Sequence, residues 1–122
     1  RARKIENVAE TIPDLEVVGP ADAELLVIGW GGTYGSITTA VQRAQRKGLK
    51  VAQAHLRYLN PMPKNTAAVL KRFQKILVPE LNAGQLVVLL RSKYLAPAEG
   101  LSKTQGRPFL VSEIEAAIEK HL

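Results

Sequence analysis

The chain has 122 residues, 17 Lys and Arg against 11 Asp and Glu, a net charge of +6 and no cysteine. That length supports one domain with a real core, and the absence of cysteine excludes a disulfide framework, a thiol nucleophile and a Cys-ligated metal or iron–sulfur cluster. No apolar run approaches the roughly 20 residues of a membrane span, so a single cytoplasmic domain over residues 1–122 is expected. Its first residue is Arg1, and we expect an excised piece of something longer.

Along the chain, Ile5, Val8, Ala9 and Ile12 repeat at helical spacing and Pro13 stops that helix. Residues 15–18 (LEVV) form a short strand closed by Gly19-Pro20, and residues 24–29 (ELLVIG) form a strand buried on both faces. Glycines at 29, 31, 32 and 35 make a tight turn into a helix with Ile37, Ala40, Val41 and Ala44 on one stripe and Gly48 past its end. Residues 50–56 (KVAQAHL) are the next strand. After Asn60-Pro61-Met62-Pro63, Asn65 or Thr66 caps a helix running to about Gln74. Residues 75–80 (KILVPE) make another strand, with Pro79 near its end. Gly84 opens a helix carrying Leu86, Leu89, Leu90 and Tyr94. A short strand over residues 100–103 follows, and Ser112 with Glu115 forms a capping box for the last helix.

Helical crossovers imply parallel strands in a three-layer α/β/α sandwich. The link between residues 15–18 and 24–29 is too short for a crossover, so the first strand is antiparallel or outside the sheet core.

The turn reads G-x-G-x-x-x-G, close to a dinucleotide loop, but the following strand ends His55-Leu56-Arg57 without the acid that would hold a ribose. A tight packed turn is the simpler reading. His55 is read as a hydrogen-bonded packing residue, and two histidines without an acidic cluster give no metal site. Between Leu25 and Ala98 there are eleven Lys and Arg and one acid, Glu80. Such a stretch suits an anionic partner, or else cations placed on the C-terminal turns of helices. Loops at the carboxyl ends of the strands bring Gly31, Gly32, Thr33, Tyr34, Gly35, Arg57, Glu80, Asn82 and Gln85 toward one crevice or interface. Glu80 is expected to pair with Arg57 or with a base of a neighbouring subunit. These polar groups either form a contact or crevice or simply cap helices, and no catalytic or cofactor-binding residue is assigned.

GWGGTYG (29–35), HLRYLNPMP (55–63), ILVPELNAGQL (76–86) and LSKTQGRPFLVSEI (101–114) resemble the C-terminal part of the alpha subunit of 2-oxoacid:ferredoxin oxidoreductases, the 2-oxoglutarate type in particular. The family pattern carries Ser where Gly32 stands and an aromatic where Met62 stands. The resemblance implies a transketolase C-terminal-domain-like fold: a five-stranded mixed sheet, order 1-3-2-4-5, with strand 1 antiparallel. It implies a whole enzyme that decarboxylates a 2-oxoacid on thiamine diphosphate and Mg, uses an iron–sulfur cluster to reduce ferredoxin, and forms an acyl-CoA. None of those cofactors is expected on this segment. Its implied partners are the rest of the alpha subunit and the beta subunit, with a homodimer as a further option and no nucleic acid or membrane. The alternative is a free-standing α/β module that binds coenzyme A or a nucleotide.

Overall fold

A computed structural model of the chain describes residues 11–81, 84–103 and 107–122. Four strands, β1 (Leu25–Trp30), β2 (Val51–Leu56), β3 (Lys75–Leu81) and β4 (Ala98–Lys103), form one sheet in the order β2-β1-β3-β4. Every pairing in it is parallel. The connections are α1 (Tyr34–Arg46), α2 (Thr66–Lys71) and α3 (Gln85–Tyr94), and α4 (Val111–His121) follows β4. The helix expected over residues 5–12 lies outside the described residues except at its end. None of the described helices is long and apolar enough to cross a membrane.

Side chains alternate across a strand, and the strands therefore feed two cores. Leu26, Ile28, Ala54 and Val78 join Leu70 of α2 and Leu86 and Leu90 of α3 on one face. Leu25, Val27, Val51 and Leu77 join Ile37 and Val41 of α1 and Ile114 and Ile118 of α4 on the other. Layers on both faces explain why the strands read as continuous apolar runs. Helix α1 ends as expected, with Gly48 at φ +86 just beyond it. Lys47 bridges to Glu115 and Glu119 of α4 at 2.6 and 2.9 Å. These exposed pairs contribute little stability, about 0–1 kcal/mol each, and their use is to set one helix against the other.

The sheet has four parallel strands, which corrects the expectation of five mixed ones. Residues 15–18 reach the free edge of β2 at one point only, an antiparallel bridge between Val18 and Gln53. The reason is a competing partner. The Asn65 side chain accepts from the Leu15 N–H at 2.7 Å and donates to the Leu15 carbonyl at 3.0 Å, so it takes the hydrogen bonds a strand neighbour would have made. Asn65 precedes α2 but makes no side-chain cap there. That helix also stops at Lys71, short of Gln74. Strand β4 starts two residues earlier than expected. At the last helix Glu113 accepts from the Leu110 N–H at 2.7 Å, and Glu115 is spent on α1, so the cap sits two residues upstream of the Ser112–Glu115 pattern.

One feature of the winding positions the candidate site. The β1–α1–β2 connection turns one way across the sheet, and the later connections turn the other. Pairing between β1 and β3 stops at Val27 and Leu77, whereas β1 pairs with β2 to Trp30 and β3 pairs with β4 to Leu81. Pro79 lies in the unpaired part of the β1–β3 seam, where its missing N–H breaks no ladder between them. Residue 30 and residue 80 thus stand at the mouth of a split between two neighbouring strands.

Candidate functional site: the split between β1 and β3

Trp30 ends β1 half-buried, and its carbonyl accepts from the Thr33 hydroxyl at 3.0 Å, closing a turn over Gly31–Thr33. Thr33 is 4% exposed. The glycines around this turn serve different ends. A Cβ on Gly29 would sit 2.4 Å from Cδ1 of Ile37 and 2.8 Å from Oγ1 of Thr33, so glycine there lets α1 pack onto the strand. Gly31 has φ +64, a conformation that side chains resist. Gly32 and Gly35 have neither constraint: nothing lies within 4 Å of a Cβ added to them, and neither has positive φ.

Across the split, the Glu80 carboxylate is 1% exposed. Its Oε1 accepts from Trp30 Nε1 at 2.9 Å and from the Leu86 N–H at 2.5 Å, and its Oε2 accepts from the Val87 N–H at 3.1 Å. Helix α3 begins after Gly84, which has φ +71 and no side chain to cap with. Glu80 supplies the missing acceptors from the neighbouring strand, and the positive end of the helix stabilises its charge. The expected Arg57 partner is therefore replaced by three neutral N–H donors. Such a carboxylate is a structural anchor, fully engaged and aimed away from solvent.

Of the residues expected at the crevice, Thr33 and Glu80 are joined through Trp30. Gln85 is exposed at the start of α3, and Gly31, Gly32 and Gly35 are exposed in and just after the turn that follows β1. Tyr34 is exposed between them, with its ring turned toward His55 of β2. Asn82 lies outside the described residues. Arg57 belongs to a different place, a groove of about 630 Å³ between α1, the end of β2 and residues 13–18. Tyr34, Thr38, Gln53, His55, Arg57 and Tyr58 line it. Gln53 is buried there and donates to the Thr38 hydroxyl at 2.7 Å. His55 does pack, its ring meeting Tyr34 edge-on at 5.0 Å between centroids, while its buried Nδ1 has no hydrogen-bond partner among the described residues. Burial, and then the nearby charge of Arg57, holds this imidazole below its ordinary pKa. Trp30 at the split, and Thr38, Gln53, His55 and Tyr58 in the groove, are members that sequence reasoning left out of the site. Trp30 had a signal, a large polar-tipped ring directly before a glycine turn. Among the described residues no three His, Cys, Asp or Glu side chains gather closely enough for a metal ion.

Residues 23–114 match the model of the pyruvate:ferredoxin oxidoreductase core domain II. The chain belongs to that family. This core domain II is 53% identical over 115 residues to the 2-oxoglutarate oxidoreductase subunit KorA of Mycobacterium tuberculosis, covering 93% of the chain and 17% of that protein. A solved structure of the 2-oxoglutarate:ferredoxin oxidoreductase from Magnetococcus marinus, with 2-oxoglutarate, coenzyme A and succinyl-CoA bound, superposes with a TM-score of 0.88 at 30% identity. That match covers 94% of this chain and 21% of the other. A split-gene transketolase, described as an inactive beta4 tetramer, matches with a TM-score of 0.67 at 12% identity over 87% of this chain and 40% of that one, which is a likeness of fold. The core domain II thus spans about a fifth of the oxidoreductase chains it matches.

Proposed function

We propose that this core domain II is a non-catalytic part of a 2-oxoglutarate:ferredoxin oxidoreductase alpha subunit, and that the surface beside the β1–β3 split is its contact with the rest of the enzyme. The observation that carries the contact is Gly35, since the family pattern carries a side chain, Ser, where Gly32 stands. In the first turn of a helix glycine is less favourable than alanine by up to about 1 kcal/mol, and nothing inside the domain calls for it at residue 35. A bare backbone at the surface suits the close approach of another chain segment. Tyr34 stands between the two glycines with 54% of its surface exposed, and an amphipathic ring of this kind is a common interface anchor.

The whole enzyme is proposed to convert a 2-oxoacid to its acyl-CoA with electrons passed to ferredoxin. Thiamine diphosphate with its Mg and the iron–sulfur cluster are proposed to sit on other domains, because this chain has no cysteine and its described residues offer no group of metal ligands; coenzyme A is proposed to sit there as well. The proposed partners are the remainder of the alpha subunit and the beta subunit. The groove at Tyr34, His55 and Arg57 supports the rival reading, a module that binds coenzyme A or a nucleotide. Calorimetry and thermal unfolding of the 122-residue chain separate the two. The domain reading expects no binding of thiamine diphosphate and no stabilisation by coenzyme A. Micromolar thiamine diphosphate binding would overturn the assignment of cofactors to other domains, and a rise in Tm with coenzyme A would favour the module.

A further inference from the structure

We infer that the opposite end of the sheet, where the strands begin, is a docking surface for an acidic polypeptide face. It is independent of the contact surface beside Tyr34, which lies at the other end. The starts of β1, β2, β3 and β4 are held side by side by the pairs Leu25–Val51, Leu25–Lys75 and Ile76–Ala98. Helices α1, α2 and α3 each end just before a strand starts. Helix α4 ends here too, because the Lys75 ammonium donates to the His121 carbonyl at 2.6 Å. Every one of the four carries Lys or Arg in its last turn.

Some of this charge is answered within the domain. Lys47 is paired with Glu115 and Glu119, and Lys50 with Asp22. Arg46, Lys71, Arg72, Lys93 and Lys120 are exposed and have no ion pair among the described residues. The C-terminal dipoles of four helices supply about half a negative charge each, about −2 together. Glu24 and Glu99 are the exposed carboxylates there that have no Lys or Arg partner among the described residues. Five unpaired cations exceed the dipoles and these two carboxylates together, so helix capping alone does not account for them and a positive surplus of about one charge faces solvent.

The form of the surplus selects its partner. Asp22, Glu24, Glu99 and Glu119 are exposed among the cations and would repel a continuous run of phosphates. No aromatic ring is presented for base stacking either: Phe73 is buried under Arg72, and Tyr94 is half-buried beside Lys93. A protein face with separate carboxylates can meet the cations one by one, and Arg46 and Arg72 can each grip a carboxylate with two hydrogen bonds.

The test uses the 122-residue chain with a helical peptide that carries one Glu per turn on a single face as the probe, followed by calorimetry or anisotropy at increasing NaCl. Binding is expected, weakening as salt screens it. The variant Arg46→Glu/Arg72→Glu should bind about tenfold more weakly or worse. Lys64→Glu/Arg107→Glu makes the same change in net charge elsewhere and should stay within about twofold. Equal losses in both variants would mean that binding follows net charge, and would overturn the proposal. So would tighter binding to a DNA duplex of matched charge. If the charge reversal unfolds the domain, as circular dichroism would report, Arg46→Gln/Arg72→Gln carries the test, with an expected loss of about threefold; no loss in that variant also overturns it.

Discussion

The indole N–H of Trp30 donates to a Glu80 carboxylate oxygen across 2.9 Å, tying the last residue of β1 to the next-to-last residue of β3 where those two strands no longer pair. The same carboxylate caps α3 through the Leu86 and Val87 N–H groups. One buried side chain therefore ties the end of β1 and the start of α3 to β3. Glutamine at this position keeps the shape but offers one acceptor oxygen where the carboxylate offers two, and it turns an N–H toward an N–H. We predict that Glu80→Gln lowers stability by about 1–3 kcal/mol, with amide exchange fastest in the first turn of α3. Trp30→Phe removes one donor and leaves the helix cap intact, so its loss should be smaller than that of Glu80→Gln in the same urea titration. The reverse order would mean that the indole packing, not the carboxylate, holds these elements together.

Three of the glycines of the turn should separate cleanly. Gly29→Ala drives a Cβ into Ile37 and Thr33 and is expected to destabilise the fold by about 1–3 kcal/mol. Gly32→Ala and Gly35→Ala meet open space and should leave the isolated domain unchanged or stabilise it by about 0.5–1 kcal/mol. In the full-length subunit Gly35→Ala should weaken assembly with the beta subunit, whereas Gly32→Ala should not, since the family pattern carries Ser there. Thermal unfolding of the domain together with gel filtration of the full complex measures both. Intact assembly in Gly35→Ala would remove the reason for a contact here.

The elements that sequence made legible are those whose signal is local. Leu25–Trp30 is apolar on both faces because helices cover both faces, and Ile37, Val41 and Ala44 show their stripe because α1 packs along its whole length. What stayed hidden depends on partners far along the chain. Asn65 looks like a helix cap from its neighbours, yet its amide binds Leu15, fifty residues away, and that contact turns an expected edge strand into a single bridge. Glu80 stood out as the lone acid in a basic stretch, which is a sound signal of a special role. Its partners could not be read, since neutral backbone N–H groups leave no mark in composition. The Ser112–Glu115 pattern misplaced a cap by two residues because Glu115 serves an interhelical ion pair that no local motif encodes.

His55 gives the domain a pH dependence whose sign can be worked out. Burial and the neighbouring Arg57 hold its imidazole below the ordinary value of 6.5, so the folded state prefers it neutral. Protonation then favours the unfolded chain, and the stability tied to His55 is present above pH 6.5 and lost as pH falls through the lower, folded value. The carboxyls of Asp22, Glu99, Glu113 and Glu115 are also held low, by their hydrogen-bonded cations, but their losses come only below ordinary values of 3.8 to 4.5. Between pH 6.5 and about 5 the histidine is thus separable from them. We predict that the urea midpoint falls from pH 7.5 to 5.5 and that His55→Phe flattens this fall. An unchanged slope in the variant would show that His55 does not titrate against the fold.

Tyr34 is where the domain's own needs and those of an assembly are easiest to separate. Its ring leans edge-on against His55, which covers one side, while 54% of the residue faces out. It also opens α1 between Gly32 and Gly35, so a partner approaching the bare backbone meets the ring at once. Inside the domain the ring contributes an aromatic contact of about 0.5–1.5 kcal/mol. At the centre of an interface the same ring would be worth more, about 1–3 kcal/mol on truncation to alanine, because the partner desolvates its exposed side as well. We therefore expect Tyr34→Ala to shift unfolding of the 122-residue chain only slightly and to weaken association of the full-length alpha subunit with its beta subunit by the larger amount. Tyr34→Phe should keep most of both, and any association loss it does show reports a hydrogen bond from the hydroxyl to the partner. A Tyr34→Ala domain that unfolds readily while full-length assembly is untouched would make the residue part of the fold, and the contact surface beside the β1–β3 split would have lost its anchor.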